Sequence, residues 1–287
     1  MVKWNVVGGP IKSLQLTTMT AVIPLYNRIL KVVSFFSKQL RFDKHENKTG
    51  RKLALTINET ISLAIFKQKN NIATKKSLHD IFNLKKKCSY KTLVVNLIRW
   101  SRLAAIVLFL IMKMNRKNAH PVKHIDSTDI PVCLFKNANA HRTTRGLADF
   151  GKSAKGTYFG FKLHLISDLR RNILSLKFTS AGVHDTKVVI DLSKDLTGIF
   201  VADAAYISKK LSQEFYQENK RILFAKPRVN MAKLMTEFQE ELYKTRMLIE
   251  LNFRNLKLFY GLVTSLPKSV NGYLANYIYS LLAYQII

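Results

Sequence analysis

Apolar positions recur at helical spacing over 12–39, 50–67, 74–83 and 89–114, which predicts four helical stretches in the first part of the chain. Thr74 and Ser89 stand where N-caps belong, and a basic run, Lys85 to Lys87, separates the last two stretches. Short helices with tight connectors are compatible with a helix-turn-helix, with 72–82 as its recognition helix. A helical bundle with a solvated basic surface fits the same pattern equally well. After His120 and Pro121 the period changes. Residues 157–167 alternate, with Phe159, Phe161, Leu163 and Leu165 on one face and Gly160, Lys162 and His164 on the other; 173–179 alternates in the same way. The runs 198–202 and 222–225 are continuously apolar, as in strands covered on both faces. Helical spacing returns over 184–194, 209–219, 233–260 and 271–287. With HIDSTDIPV (124–132) as the first strand, the order is three strands followed by strands joined through crossover helices. That order predicts an α/β fold with a mixed sheet flanked by helices, preceded by a mainly helical region, with the division at 1–119 and 120–287.

Charge divides the chain at the same place. Of the 47 Lys and Arg and 18 Asp and Glu, residues 1–120 hold 23 and 4, and the remainder holds 24 and 14. A formal charge of +29 calls for a polyanionic partner, and nucleic acid is the commonest for a globular protein of this size, with an anionic membrane surface as the rival. The opening residues, MVKWNVVGGPIK, carry an apolar run too short for a signal-sequence core, and the apolar stretch 103–112 is about half of what a bilayer span needs. Both point away from a membrane. Two cysteines, Cys88 and Cys133, are too few for a disulfide framework or a four-thiolate zinc site.

Three acidic residues attract attention for their positions. Asp203 ends the apolar run GIFVAD, where a buried strand leaves a sheet and ligand sites form, although a carboxylate there also suits a turn cap. Asp126 lies in the first strand beside Ser127 and Thr128, with Asp129 as its rival. Glu250 lies in the helical stretch 233–260. At about 100° per residue, Tyr243, Arg246, Glu250 and Lys257 fall within roughly 60° of one another on the wheel. The apolar stripe of that stretch, Phe238, Leu242, Thr245, Ile249, Phe253, Leu256 and Tyr260, runs about a quarter turn away. An ordinary solvated stripe, with Arg246 and Glu250 as an i,i+4 pair, remains the alternative.

The spacing Tyr243, Arg246, Glu250, Lys257 resembles the YREK signature of bacterial insertion-sequence transposases of the DDE superfamily. IDST at 125–128, FGFKLHL at 159–165, GVHD at 182–185 and the turn from Asp203 to Tyr206 are similar to that family's other blocks, in the same order. The resemblance covers about 120–285. It implies a ribonuclease H-like catalytic core with Asp126, Asp203 and Glu250 as the catalytic and metal-holding triad. It also implies hydrolysis at the ends of a mobile element, which frees a 3′ hydroxyl that then attacks a phosphodiester of target DNA. Three carboxylates brought together repel unless cations lie between them. Oxygen donors with no adjacent thiol or His cluster favour Mg2+, or Mn2+, and about two such ions suit phosphodiester chemistry. Tyr243, Arg246 and Lys257 would then hold the DNA backbone.

The stretch 136–155 reads as a mobile basic loop in which Arg142, Arg145 and Lys152 contact DNA phosphates, or as a solvated connector. His164 reads as a hydrogen-bonded neighbour, and His184 as a cap of the helix after it. The implied partners are the element's terminal repeats and target DNA, with a homodimer in the synaptic complex and a nucleoid-associated, cytoplasmic location. One departure from the family stands out: Ala205 replaces the usual glycine before the aromatic Tyr206. If that turn needs a left-handed residue, alanine is strained there, and the second reading is a catalytically decayed, transposase-derived DNA-binding protein.

Overall fold

A computed structural model describes residues 11–46, 50, 52–227 and 234–286, with side chains of the first helix described from residue 23. Most of the opening segment MVKWNVVGGPIK and the expected helix start at Lys233 lie outside the described residues.

The first region is helical: α1 (Ile11–Leu40), α2 (Ile57–Lys69), α3 (Lys75–Ile81), α4 (Tyr90–Arg99) and α5 (Ser101–Lys117). Thr56 and Glu59 form a reciprocal capping box at the start of α2, which therefore begins later than the apolar spacing predicts. Thr74 and Ser89 cap α3 and α4 as expected, accepting from the amides of Ser77 and Thr92. The single stretch expected over 89–114 is broken at Trp100 into α4 and α5. In α5, Leu103, Ala104, Val107, Leu108 and Met112 are buried. Among the described residues no single helix is long and apolar enough to cross a membrane.

The sheet follows: β1 (Val122–Pro131), β2 (Asp149–Ser153), β3 (Gly156–Asp168), β4 (Ile173–Ser180), β5 (Ile199–Ala202) and β6 (Ile222–Ala225). Its path is β2-β3-β1-β5-β6, with β4 also paired to β3. β1, β3 and β4 are antiparallel, while β5 and β6 run parallel to β1, the mixed ribonuclease H-like arrangement expected from the sequence. The long crossovers are helical: a 3-10 turn (Asp185–Val188) leading into α6 (Val189–Ser193), and α7 (Lys209–Asn219). Part of the basic stretch read as a mobile loop is instead ordered as β2, which pairs with β3 through Phe150 and Phe159. Its residues alternate too weakly in polarity to announce a strand, and pairing with the long β3 supplies the order.

The closing helices are α8 (Glu237–Lys244), α9 (Met247–Leu258) and α10 (Val270–Ile286). The continuous helix expected to run to Tyr260 is interrupted at Thr245 and Arg246. The amide of Arg246 bonds the Tyr243 carbonyl and that of Leu248 bonds the Thr245 carbonyl, three residues back rather than four. Thr245 Oγ1 donates to the Leu242 carbonyl at 2.6 Å, a local bond that competes with regular helix. Phe238, assigned to the buried stripe, is exposed in consequence, whereas Leu242, Ile249, Phe253 and Leu256 are buried as expected.

Both faces of the sheet are covered. Leu163 and Leu165 of β3 join Ile130 in a core shared with α2, α4, α5, α9 and α10, while Ile166 faces the other way into a smaller core with Phe200, Leu211 and Phe215. At Gly160, opposite Pro131, an added Cβ would come within 2.2 Å of the Ile130 carbonyl oxygen, so β1 approaches β3 as closely as only glycine permits.

Candidate catalytic site

β1 runs through the middle of the sheet, and the ladder places Asp126 opposite Leu165 and Asp129 opposite Lys162. The Asp126 carboxylate accepts from the Ser127 amide at 2.8 Å and from Arg246 Nη2 at 2.6 Å. Burial pushes this carboxyl up to about 6. Asp203 and Asp185 push in the same direction, and Arg246 and the Ser127 amide pull against them. That Asp203 and Asp185 both act on Asp126 places the three acids in one electrostatic neighbourhood.

Asp203 follows β5 and opens a 3-10 turn, Ala204–Tyr206; its Oδ1 accepts from the Ala204 amide at 2.6 Å. The capping reading and the site reading both hold, because the same carboxylate acts on Asp126, Arg246 and Tyr243. Ala205 is absent from the residues with positive φ, so the turn does not require the left-handed backbone that glycine would supply. The expected strain at this departure is not there.

Glu250 sits in the first turn of α9, half-exposed, and its Oε1 accepts from Arg246 Nη1. One guanidinium therefore bridges the carboxylates of Asp126 and Glu250, and Asp203 acts on it as well. Two of the three acids expected as a triad, Asp126 and Glu250, thus meet at Arg246, and Asp203 acts on it without a bond. Its Nε is buried without a partner. The break between α8 and α9 is anchored to β1 by Thr245, whose Oγ1 lies 2.8 Å from His124 Nε2. His124 is fully buried, and burial holds its imidazole down at about 4, hence neutral.

Tyr243 stands at the end of α8, where Arg246, Asp203 and Glu250 all act on it and Lys226 lies over its ring at 5.3 Å. Lys257 is further along α9 and pairs with Asp129 at 2.8 Å, so the rival aspartate is neutralised by the signature lysine. Lys155, at the β2–β3 hairpin, lies close enough to act on Lys257. Arg142 and Arg145 are exposed in the connector before β2, and Lys152 is exposed on β2; nothing joins these three to the acids. His184 caps the 3-10 turn after it, accepting from the Thr186 amide, and His164 Nε2 bonds Thr179 Oγ1 at 2.9 Å, both as expected.

Two residues of the site were not singled out from sequence. Asp185 accepts from Lys162 Nζ at 2.9 Å, and its turn packs against the turn carrying Tyr206. The block GVHD was the available signal. Tyr206 is buried, its phenol without a hydrogen-bond partner among Asp185, Asp126 and Asp203. Its position beside Asp203 was legible; its role at the centre of the acids depends on the packing of two distant turns.

Among the described residues, no three His, Cys, Asp or Glu side chains converge closely enough to hold a metal ion. The donor chemistry nevertheless suits a hard divalent cation: carboxylate oxygens in excess, no thiolate, and a cationic group already lodged between two of the carboxylates. The donor set suits such an ion by its chemistry, while in this structure Arg246 occupies the place between Asp126 and Glu250.

A family model described as a transposase DDE domain matches residues 116–265, just over half of the chain. The matched span begins in α5 and takes in β1 with Asp126, the turn with Asp203 and α9 with Glu250. No curated protein and no solved structure matches.

Proposed function

The chain belongs to the DDE transposase-domain family, and from that premise we propose that it is a metal-dependent DNA transposase of the YREK, insertion-sequence type. It hydrolyses phosphodiesters at the ends of its own element and transfers the freed strands to target DNA. The observation that supports the reading is the bridging of Asp126 on β1 and Glu250 on α9 by a single guanidinium, with Asp203 at the end of β5 in the same electrostatic neighbourhood.

On this reading Asp126, Asp203 and Glu250 hold Mg2+ or Mn2+, and the bound ions supply activation of the attacking oxygen and neutralisation of charge developing on phosphorus. The protein supplies the rest. β1 and β5, parallel neighbours in the centre of the sheet, fix Asp126 and Asp203 on rigid backbone, and the α8–α9 break, tied to β1 through His124, sets the height of Glu250. Lys162 holds Asp185 against the back of the site. Tyr243, Arg246 and Lys257 line the approach and bind the DNA backbone there, and Arg142, Arg145 and Lys152 contact phosphates further out. Residues 1–119 serve DNA recognition and 120–287 catalysis; a homodimer on two element ends, in a nucleoid-associated cytoplasmic setting, completes the proposal. The decayed, binding-only reading drew on Ala205, and the ordinary backbone of that turn removes its support.

The test is strand nicking and strand transfer on labelled element-end duplex with Mg2+ or Mn2+. Asp126→Asn, Asp203→Asn and Glu250→Gln should each lower turnover by about a thousandfold or more, while duplex affinity in Ca2+ changes less than about threefold. Unimpaired nicking by any of the three would remove that residue from the proposed triad.

A further inference from the structure

Arg246 occupies a place that the proposed function reserves for something else. Its Nη1 and Nη2 are spent on Glu250 and Asp126, while Nε is buried with no acceptor, so the guanidinium leaves a buried donor unsatisfied to stay between the two acids. The charge it answers is that of Asp126, buried in the electrostatic neighbourhood of Asp203 and Asp185; among the described residues the other cation bonded to these acids is Lys162, on Asp185. The backbone under Arg246 does not depend on the side chain's pairing. The 3-10 bonds at the α8–α9 break and the contact of Thr245 with His124 hold it in place. The arginine side chain is long, rises from this fixed base and remains 15% exposed, with Tyr243 three residues before it on the same face.

A guanidinium and a divalent ion cannot both sit on the carboxylates of Asp126 and Glu250, since like charges at contact repel and the Asp126 end is largely shielded from water. We propose that Arg246 is the resident counter-ion of the acidic site, that divalent metal displaces it, and that the displaced guanidinium becomes a ligand for a DNA phosphate. Metal loading and grip on the DNA backbone are then one exchange reaction. The inference rests on the proposed function, because it takes the triad as the metal-holding group; it adds the order of events and a residue that weakens metal binding in the free protein. Arg246 is a competitor of the metal before it is a contact for DNA.

The experiment is calorimetric titration of the full chain with Mn2+ in the absence of DNA, comparing the parent with Arg246→Gln and Arg246→Lys. Removing the competitor should tighten Mn2+ binding by about tenfold or more in Arg246→Gln and leave Arg246→Lys close to the parent. The melting temperature of Arg246→Gln should fall below the parent without metal, where the acids lose their counter-ion, and recover when Mn2+ is added. A second comparison reads the other half of the exchange: adding Ca2+ should raise the affinity of the parent for duplex DNA severalfold, and the gain should shrink in Arg246→Gln. Unchanged or weaker Mn2+ binding in Arg246→Gln overturns the proposal, and so does an equal Ca2+-dependent gain in the two proteins. Mn2+ binding that is lost in Asp126→Asn but indifferent to Arg246 rejects the exchange alone and leaves the transposase reading standing. No saturable Mn2+ binding in any variant rejects both.

Discussion

Two buried imidazoles and a buried carboxyl give the protein an unequal response to pH. His124 and His164 are held down at about 4 by burial, against an ordinary value near 6.5. The unfolded chain therefore takes up protons that the folded chain refuses. Their contribution is complete above about pH 6.5 and is lost as pH falls towards 4. Replacing His164 with Gln, which keeps a polar group for Thr179, should make thermal stability at pH 5 less sensitive to acid by about 2 kcal/mol relative to the parent. A melting series from pH 7.5 to 4.5 measures this. Asp126 has the opposite sign. Its carboxyl is raised to about 6, so its contribution is present below about pH 4 and is lost as pH rises through 6. Without metal, Asp126→Asn should be more stable than the parent at pH 8, by on the order of 2 kcal/mol, and should lose that advantage at pH 5. Equal melting temperatures at pH 8 would mean that Arg246 already compensates the charge in full.

At the scale of elements, the close approach of β1 to β3 sets where Asp126 stands. Gly160→Ala would drive a Cβ into the Ile130 carbonyl, and neither strand can yield without moving the ladder. A loss of about 3 kcal/mol or more is expected in urea unfolding, with nicking activity lost in the folded fraction. The strands were legible because their alternation or continuous apolar runs match their burial: Leu163 and Leu165 face one core, Ile166 the other. β2 was not, because its order comes from its neighbour rather than from its own residues. The helix break at Thr245 was also hidden. Thr245 keeps step with the apolar stripe of 233–260, and what bends the chain there is its bond to the Leu242 carbonyl and its contact with His124, 121 residues earlier. Asp126, Asp203 and Glu250 stand out by position on strands and a helix of recognisable pattern, but their grouping as a triad comes from the resemblance of 120–285 to the transposase family. The pairing of Arg246 with Glu250 was legible as an i,i+4 contact, but its pairing with Asp126 was not, since side-chain contact across 120 residues leaves no mark on periodicity.

On the scale of the molecule, packing runs across the proposed division at 119/120. α10 packs against α2, α4 and α5 of the helical region as well as α9, and one core runs from Ile29 to Ala283. Tyr279 donates to the Leu97 carbonyl at 2.9 Å, and Gln68 Nε2 donates to Asn276 Oδ1 at 2.8 Å. Residues 120–287 made alone would expose the face of α10 that bears Leu281 and Leu282. Such a fragment should aggregate or elute in the void volume in size-exclusion chromatography, where the full chain gives a discrete species. A monodisperse, cooperatively melting fragment would refute this.

The same seating of α10 governs when the protein comes into being. The helix nearest the carboxyl end fills the space between helices translated some 170 residues before it. A polypeptide still on the ribosome, or one cut short by a premature stop, lacks the wedge that closes its centre. On the proposed function, a chain truncated before α10 should therefore show no strand nicking, because its central core stays open.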